Sequence, residues 1–108
     1  MRRGLLTLLV VIACKPAAMS GTIDVQVTQK GFEPDRIRVA PNVPVTLRFT
    51  RKVAETCADA VDVQGDPVRH MLPLNAPIEV RVTPPASGKI AFACPMNMYR
   101  GAIEVVGQ

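Results

Sequence analysis

Polar and apolar residues alternate along several short stretches of the chain, with the period of two that is typical of half-buried β-strands. The clearest stretch is residues 45–50, in which Val45, Leu47 and Phe49 share one face. The same pattern predicts seven strands, at residues 22–28, 36–40, 45–50, 60–63, 77–82, 89–94 and 102–106. Proline, glycine and asparagine between them predict turns. Because no stretch has a sustained helical period, we predict an all-β fold, a Greek-key β-sandwich or barrel of about seven short strands.

The first residues have the pattern of an export signal. Arg2 and Arg3 precede an apolar run of nine residues, 5–13, whereas a span across a bilayer needs about 20. The run ends in Ile12-Ala13-Cys14 and resembles the lipobox of bacterial lipoproteins. That resemblance implies a signal peptide at residues 1–13, a lipidated Cys14 and attachment to a membrane of the bacterial cell envelope. An ordinary cleaved signal with an incidental cysteine is the alternative.

Residues 14–21 then form a tether, and residues 22–108 are long enough for one small domain. The formal net charge is +4, two of those charges lie in the leader, and the others are interspersed. No basic stripe with interleaved aromatic residues is present, so we expect no nucleic-acid binding. We also expect a monomer. We do not expect an enzyme, since the chain has no C-x-x-C pair, no catalytic Ser-His-Asp order and no glycine-rich phosphate loop.

Sulfur is concentrated just after the strand at residues 89–94. Cys94, Met96 and Met98 lie within five residues, and Pro95 and Asn97 make the segment a loop. Thiolate and thioether donors select Cu(I) over harder ions. If methionine instead fills gaps in the core, the segment has no role in metal binding.

If Cys14 is lipidated, Cys57 and Cys94 are the two remaining thiols, and in a Greek-key sandwich their loops can adjoin. Three interpretations stay open: a structural disulfide, two unrelated buried thiols, or a bis-thiolate metal site. The neighbouring methionines favour the metal site, because a structural disulfide needs none.

A single histidine, His70, limits the kinds of metal centre. A blue-copper site takes two histidines, and a Cys₂His₂ zinc site takes two as well, so both are excluded. A solvated loop residue is the simpler interpretation of His70, which remains a possible additional metal ligand.

The sequence resembles the cupredoxin-like domains. Gly31-Phe32-Glu33-Pro34 would lie in the first hairpin, and Phe92-Ala93-Cys94 before the metal loop. Within these domains the chain is similar to the anchored Cu(I)-binding group that accompanies copper-exporting P-type ATPases. The metal loop of that group reads F-x-C-x-M-x-M-x-x-G, which here is Phe92, Cys94, Met96, Met98 and Gly101.

This resemblance implies a tight Cu(I) site formed by Cys57 and Cys94. Met96 and Met98 would complete it or form a weaker second site. It also implies a copper chaperone or buffer that exchanges Cu(I) with a copper-exporting P-type ATPase or another copper carrier. One departure is Pro95, where the family commonly has glycine, because proline has no N–H to donate to a sulfur.

Two other functions remain as alternatives. One is a lipid-anchored binding module held together by a Cys57–Cys94 disulfide. The other is electron transfer by an atypical copper centre.

Overall fold

The computed structural model describes residues 18–107, which form nine β-strands in two sheets and contain no helix. The strands are β1 (Thr22–Thr28), β2 (Gly31–Glu33), β3 (Arg36–Val39), β4 (Val45–Arg51), β5 (Ala60–Val63), β6 (His70–Met71), β7 (Ile78–Val82), β8 (Lys89–Ala93) and β9 (Arg100–Val105). The predicted all-β fold is confirmed, and each of the seven predicted strands is present. The short strands β2 and β6 are additional.

The two sheets have the strand orders β2-β1-β4-β7 and β3-β9-β8-β5-β6. The pairs β1/β4 and β3/β9 are parallel, and the other neighbours are antiparallel. Since parallel neighbours cannot be joined by a tight hairpin, the chain crosses repeatedly from one sheet to the other. This connectivity places loops from distant parts of the sequence side by side at each end of the sandwich.

The core lies between the sheets and follows the alternation of the sequence. Ile23, Val25 and Val27 of β1 are buried, as are the apolar residues of β4. Phe32, which pairs with Val27 at the end of β1, closes one end of the core. Its ring packs edge to face on Phe92, with the ring centroids 5.1 Å apart. No polar or charged residue in the described part of the chain is buried.

Strands β4 and β8 both end at the same end of the sandwich, which we call the cysteine end. The rings of Phe49 and Phe92, near those two strand ends, have centroids 5.6 Å apart. Because β1 is parallel to β4 and β9 is antiparallel to β8, β1 begins and β9 ends at the opposite end. A strand of seven residues such as β1 spans about 20 Å, which is the separation of the two ends.

The predicted signal peptide, Cys14 and residues 15–17 of the predicted tether lie outside the described residues. Near the start of the described residues, the chain lies along the edge of β3, where the backbone N–H of Met19 donates to the carbonyl of Arg38 at 2.7 Å. Within residues 18–107, no helix is long and apolar enough to cross a membrane.

Candidate metal centre

Cys94 directly follows β8, and its position is set by the strand pattern. Phe92 faces the core, and two residues later Cys94 lies on the same face, with 2% of its surface exposed. The chain then turns sharply: Asn97 donates its N–H to the Cys94 carbonyl at 2.8 Å, and Cys94 donates its own to Tyr99 O at 3.0 Å. Asn97 has φ of 59°, a conformation that asparagine tolerates better than most residues. The loop is therefore closed on itself around the cysteine.

The same closure directs backbone N–H groups at the sulfur. Met98 N and Tyr99 N each lie 3.3 Å from Cys94 Sγ and donate to it. Burial, the largest single influence, raises the pKa of Cys94, but the donors from Tyr99, Cys57 and Met98 together outweigh it and lower the pKa. The lack of an N–H at Pro95 thus does not leave this sulfur without donors. Cys94 is the thiol that this environment favours as a thiolate.

Cys57 lies in the loop after β4, and Arg51 at the end of that strand holds the loop in place. The Arg51 guanidinium donates to three carbonyls, at 2.7 Å to Leu72, 3.0 Å to Val53 and 2.9 Å to Ala54. Charge-assisted hydrogen bonds of this kind are stronger than neutral ones. They connect the loop to the chain next to β6 and so fix the half-buried Cys57.

The two cysteines, separated by 37 residues in sequence, meet with Sγ atoms 3.4 Å apart. Both are free thiols, and a disulfide would need about 2.05 Å. Burial and then the hydrogen bond to Cys94 raise the pKa of Cys57, so Cys57 is the thiol of the pair that this environment keeps protonated. Two thiolates about 2.3 Å from one metal ion at a tetrahedral angle lie about 3.8 Å apart. The two sulfurs would therefore have to move apart by only about 0.4 Å to hold one soft ion.

Met96 and Met98 project into solvent, with exposed fractions of 71% and 69%. Neither fills a gap in the core, which removes the main structural explanation for them. Their exposed thioethers are on the same short loop as Cys94.

His70 is not brought together with the cysteines. Its Nε2 lies 2.8 Å from Asp66 Oδ2, and its strand, β6, pairs with β5. This hydrogen bond is the main cause of the lowered pKa of Asp66. Within residues 18–107, no three His, Cys, Asp or Glu side chains cluster so that they could hold a metal ion. The donors that the thiol pair has nearby in sequence are therefore the methionine sulfurs.

Tyr99 is a residue of this site that the sequence pattern missed. Its backbone closes the loop, its ring lies 3.5 Å from the position a Cβ on Gly31 would take, and its hydroxyl donates to Gln29 O at 3.1 Å. Gly31 has φ of 115°, a conformation reserved for glycine. The turn between β1 and β2 thus supports the sulfur loop. The sequence did contain one indication of its role: Tyr99 is the single tyrosine of the chain and lies within the F-x-C-x-M-x-M-x-x-G motif.

Comparison with known proteins settles the family. The family described as "Cupredoxin-like domain" matches residues 4–105. The chain belongs to the cupredoxin-like family. No curated protein matches this cupredoxin-like chain in sequence.

Two solved structures resemble this cupredoxin-like chain with a TM-score of 0.71. One is the metal-binding domain of the Cu(I)-exporting P-type ATPase CopA of Streptococcus pneumoniae D39, solved with Cu(I). It is 25% identical, over 79% of this chain and 84% of that one. The other is a copper binding protein in its apo form, 31% identical over 83% of this chain and 92% of that one.

A reduced auracyanin from Roseiflexus castenholzii, 13% identical with a TM-score of 0.66, covers 83% of this cupredoxin-like chain and 99% of its own. At that identity the likeness concerns the fold alone.

Proposed function

We propose that the chain binds Cu(I) between Cys57 and Cys94 and serves as a copper chaperone or buffer. The observation that carries this is the pair of free thiols 3.4 Å apart, joined to a loop with two exposed thioethers. Such an all-sulfur donor set suits Cu(I) and offers little to hard cations. Two structurally similar proteins support copper as the ion, one solved with Cu(I) and the other described as a copper binding protein.

In this proposal the cysteine thiols and the exposed methionine thioethers have different roles. Cys94, held by the N–H groups of Met98 and Tyr99, is the more acidic thiol and is prepared as a thiolate. Cys57 gives up its proton when the ion binds, because a coordinating thiol must ionise. Two thiolates leave room in the coordination sphere for a further ligand. Met96 and Met98, at the solvent side, give an arriving or leaving Cu(I) ion weaker intermediate ligands.

Copper is thus cargo in this proposal, and it moves by ligand exchange. A thiolate or thioether of a second protein joins the ion before the first ligands leave, so the ion is never released to water. The proposed second protein is a copper-exporting P-type ATPase or another copper carrier. Lipidation at Cys14 would keep the domain at a membrane face of the bacterial envelope, where such a carrier is met.

An anaerobic titration of Cu(I) against a competing chelator tests the proposal. We expect binding to be lost in Cys57→Ser/Cys94→Ser. In Met96→Leu/Met98→Leu we expect the tight site to be retained and transfer to the chelator to be slowed. The matched control is Met71→Leu, since Met71 on β6 is also exposed, at 60%, but lies outside the loop.

X-ray absorption of the Cu(I)-loaded protein counts sulfur neighbours directly. Unchanged binding without the two cysteines would refute the proposal. A fully oxidised, copper-free pair in protein isolated from its native compartment would favour the disulfide-linked binding module instead. An intense thiolate-to-Cu(II) absorption after oxidation would favour electron transfer.

A further inference from the structure

The outward face of the five-stranded sheet, β3-β9-β8-β5-β6, carries alanines at its centre. The positions around them carry long side chains. Ala91, Ala93 and Ala102 alternate with core residues of β8 and β9 and therefore point away from the core. In the sheet register, Ala91 lies opposite Ala102, and Ala102 lies opposite Arg36. These single methyl groups form the floor of a trough of about 360 Å³.

Cations form the walls of this trough. Arg36, Lys89 and Arg100 line it, and all three are exposed. Asp35 also lines the trough, and Glu104 lies opposite Lys89 in the strand register. In the described part of the chain, neither carboxylate comes within ion-pair distance of these cations. The lining thus carries three cations against one carboxylate, around a small, uncharged floor.

The trough reaches the sulfur loop at one end. Asn97, in the middle of the loop, is one of its lining residues. Arg100 Nε donates to the Asn97 carbonyl at 3.2 Å, so the guanidinium connects the trough to the loop. The trough therefore reaches Asn97, the residue between Met96 and Met98 in the sequence.

We infer that this trough docks an acidic segment of the protein that exchanges Cu(I) with the loop, an inference that rests on the proposed function. Carboxylates complement the unpaired cations, and charge complementarity raises association rates and fixes the orientation of a partner. The concave shape suits an extended chain laid across the alanine floor better than the flat surface of a bilayer. Docking there brings a donor or acceptor sulfur of the partner beside the exposed thioethers.

Two synthetic acceptor peptides test the inference. Both carry a Met-x-Met copper-binding segment, and one ends in a glutamate-rich tail and the other in a glutamine-rich tail. We compare Cu(I) transfer from the loaded protein to each, and also the binding of each peptide to the metal-free protein by fluorescence anisotropy. The charge-reversal variant is Arg36→Glu/Lys89→Glu. The matched control is Arg48→Glu/Arg81→Glu, which makes the same charge change on β4 and β7 of the other sheet.

For the wild type we expect tighter binding and faster transfer with the glutamate tail, by about five-fold, the sum of two surface charge contacts. This advantage should disappear in Arg36→Glu/Lys89→Glu, persist in Arg48→Glu/Arg81→Glu, and fall with added salt. Equal loss in both variants would overturn the inference, since the attraction would then depend on net charge alone. Displacement of the peptide by inorganic phosphate would also overturn it, indicating a small-anion site.

A third contrary result is trough-dependent binding to phosphatidylserine vesicles with no binding of the acidic peptide. Failure of the proposed function is distinguishable from all of these, because the wild type would then take up no Cu(I) from the chelator, whatever its peptide binding. If Cu(I) is bound and neither tail affects binding or transfer, the docking inference alone is wrong.

Discussion

Gly101 at the start of β9 has no room for a side chain, and replacing it with alanine tests how tightly the sulfur loop is held to the core. A Cβ at this position would overlap Cε2 and Cζ of the Phe92 ring and lie 2.9 Å from the carbonyl of Asp35. The ring is 1% exposed and is confined by Phe32 and Phe49, so it cannot swing away. Either the strand pair β8/β9 separates or the aromatic cluster shifts.

Overpacking of this kind costs about 1–3 kcal/mol. For a domain of this size each kcal/mol lowers the Tm by about 4–8 °C. The matched control is Gly107→Ala, because a Cβ on Gly107 meets nothing within 4 Å. We expect that control to change stability by less than about 0.5 kcal/mol. Urea and thermal denaturation of the two variants measure the difference.

A double-mutant cycle then tests the cause. If the overlap with the ring is responsible, Phe92→Leu makes space, and the pair Gly101→Ala/Phe92→Leu should lose less stability than the two single variants add up to. Since Phe92 lies two residues before Cys94, we also expect Gly101→Ala to weaken Cu(I) binding. The reasoning is wrong if Gly101→Ala is as stable as Gly107→Ala, or if the two substitutions are simply additive.

Three further predictions concern the supports of the site and the surface charges. Arg51→Met leaves three carbonyls without their donor and should weaken Cu(I) binding in a chelator competition, whereas Arg48→Met, which removes a surface ion pair, should not. Tyr99→Ala should speed alkylation of the buried thiol by iodoacetamide in the apo protein, and an unchanged rate would show that the loop does not need this ring. Because Arg69 lowers the pKa of Asp62, the ion pair stabilises the fold above the unfolded-state pKa of about 4 and ceases to do so as the pH falls through the lower folded-state value. The stability deficit of Asp62→Asn, followed by urea denaturation, should therefore vanish at low pH.

The strands that the sequence predicted are those whose alternation is long enough to recognise. In β1 and β4 every second residue faces the core, so burial repeats with the apolar pattern. Strand β2 has three residues, beginning with a glycine and followed by a proline, and β6 has two, so neither can show a period. Both exist because a longer neighbour, β1 or β5, supplies their hydrogen bonds.

The sequence could suggest the sulfur atoms of the candidate site, but not the contacts that hold them. Donor softness pointed to Cys94 and the two methionines, and a sandwich topology made contact with Cys57 plausible. The contributions of Arg51 and Tyr99 depend on backbone carbonyls and N–H groups that come together only when the loops are folded. A side chain that binds backbone atoms leaves no pattern in the sequence, because any residue can supply the partner.

The positions of the two ends of the domain affect how this fold can be attached to other molecules. Strand β1 begins, and β9 ends, at the end of the sandwich farthest from Cys57 and Cys94. A tether, a membrane anchor or a neighbouring domain can therefore be joined at either strand end without covering the end of the sandwich that holds the thiols. The same geometry would suit a separate carrier protein and a domain within a larger transporter. The sulfur loop could therefore work in either kind of protein without any change to its chemistry.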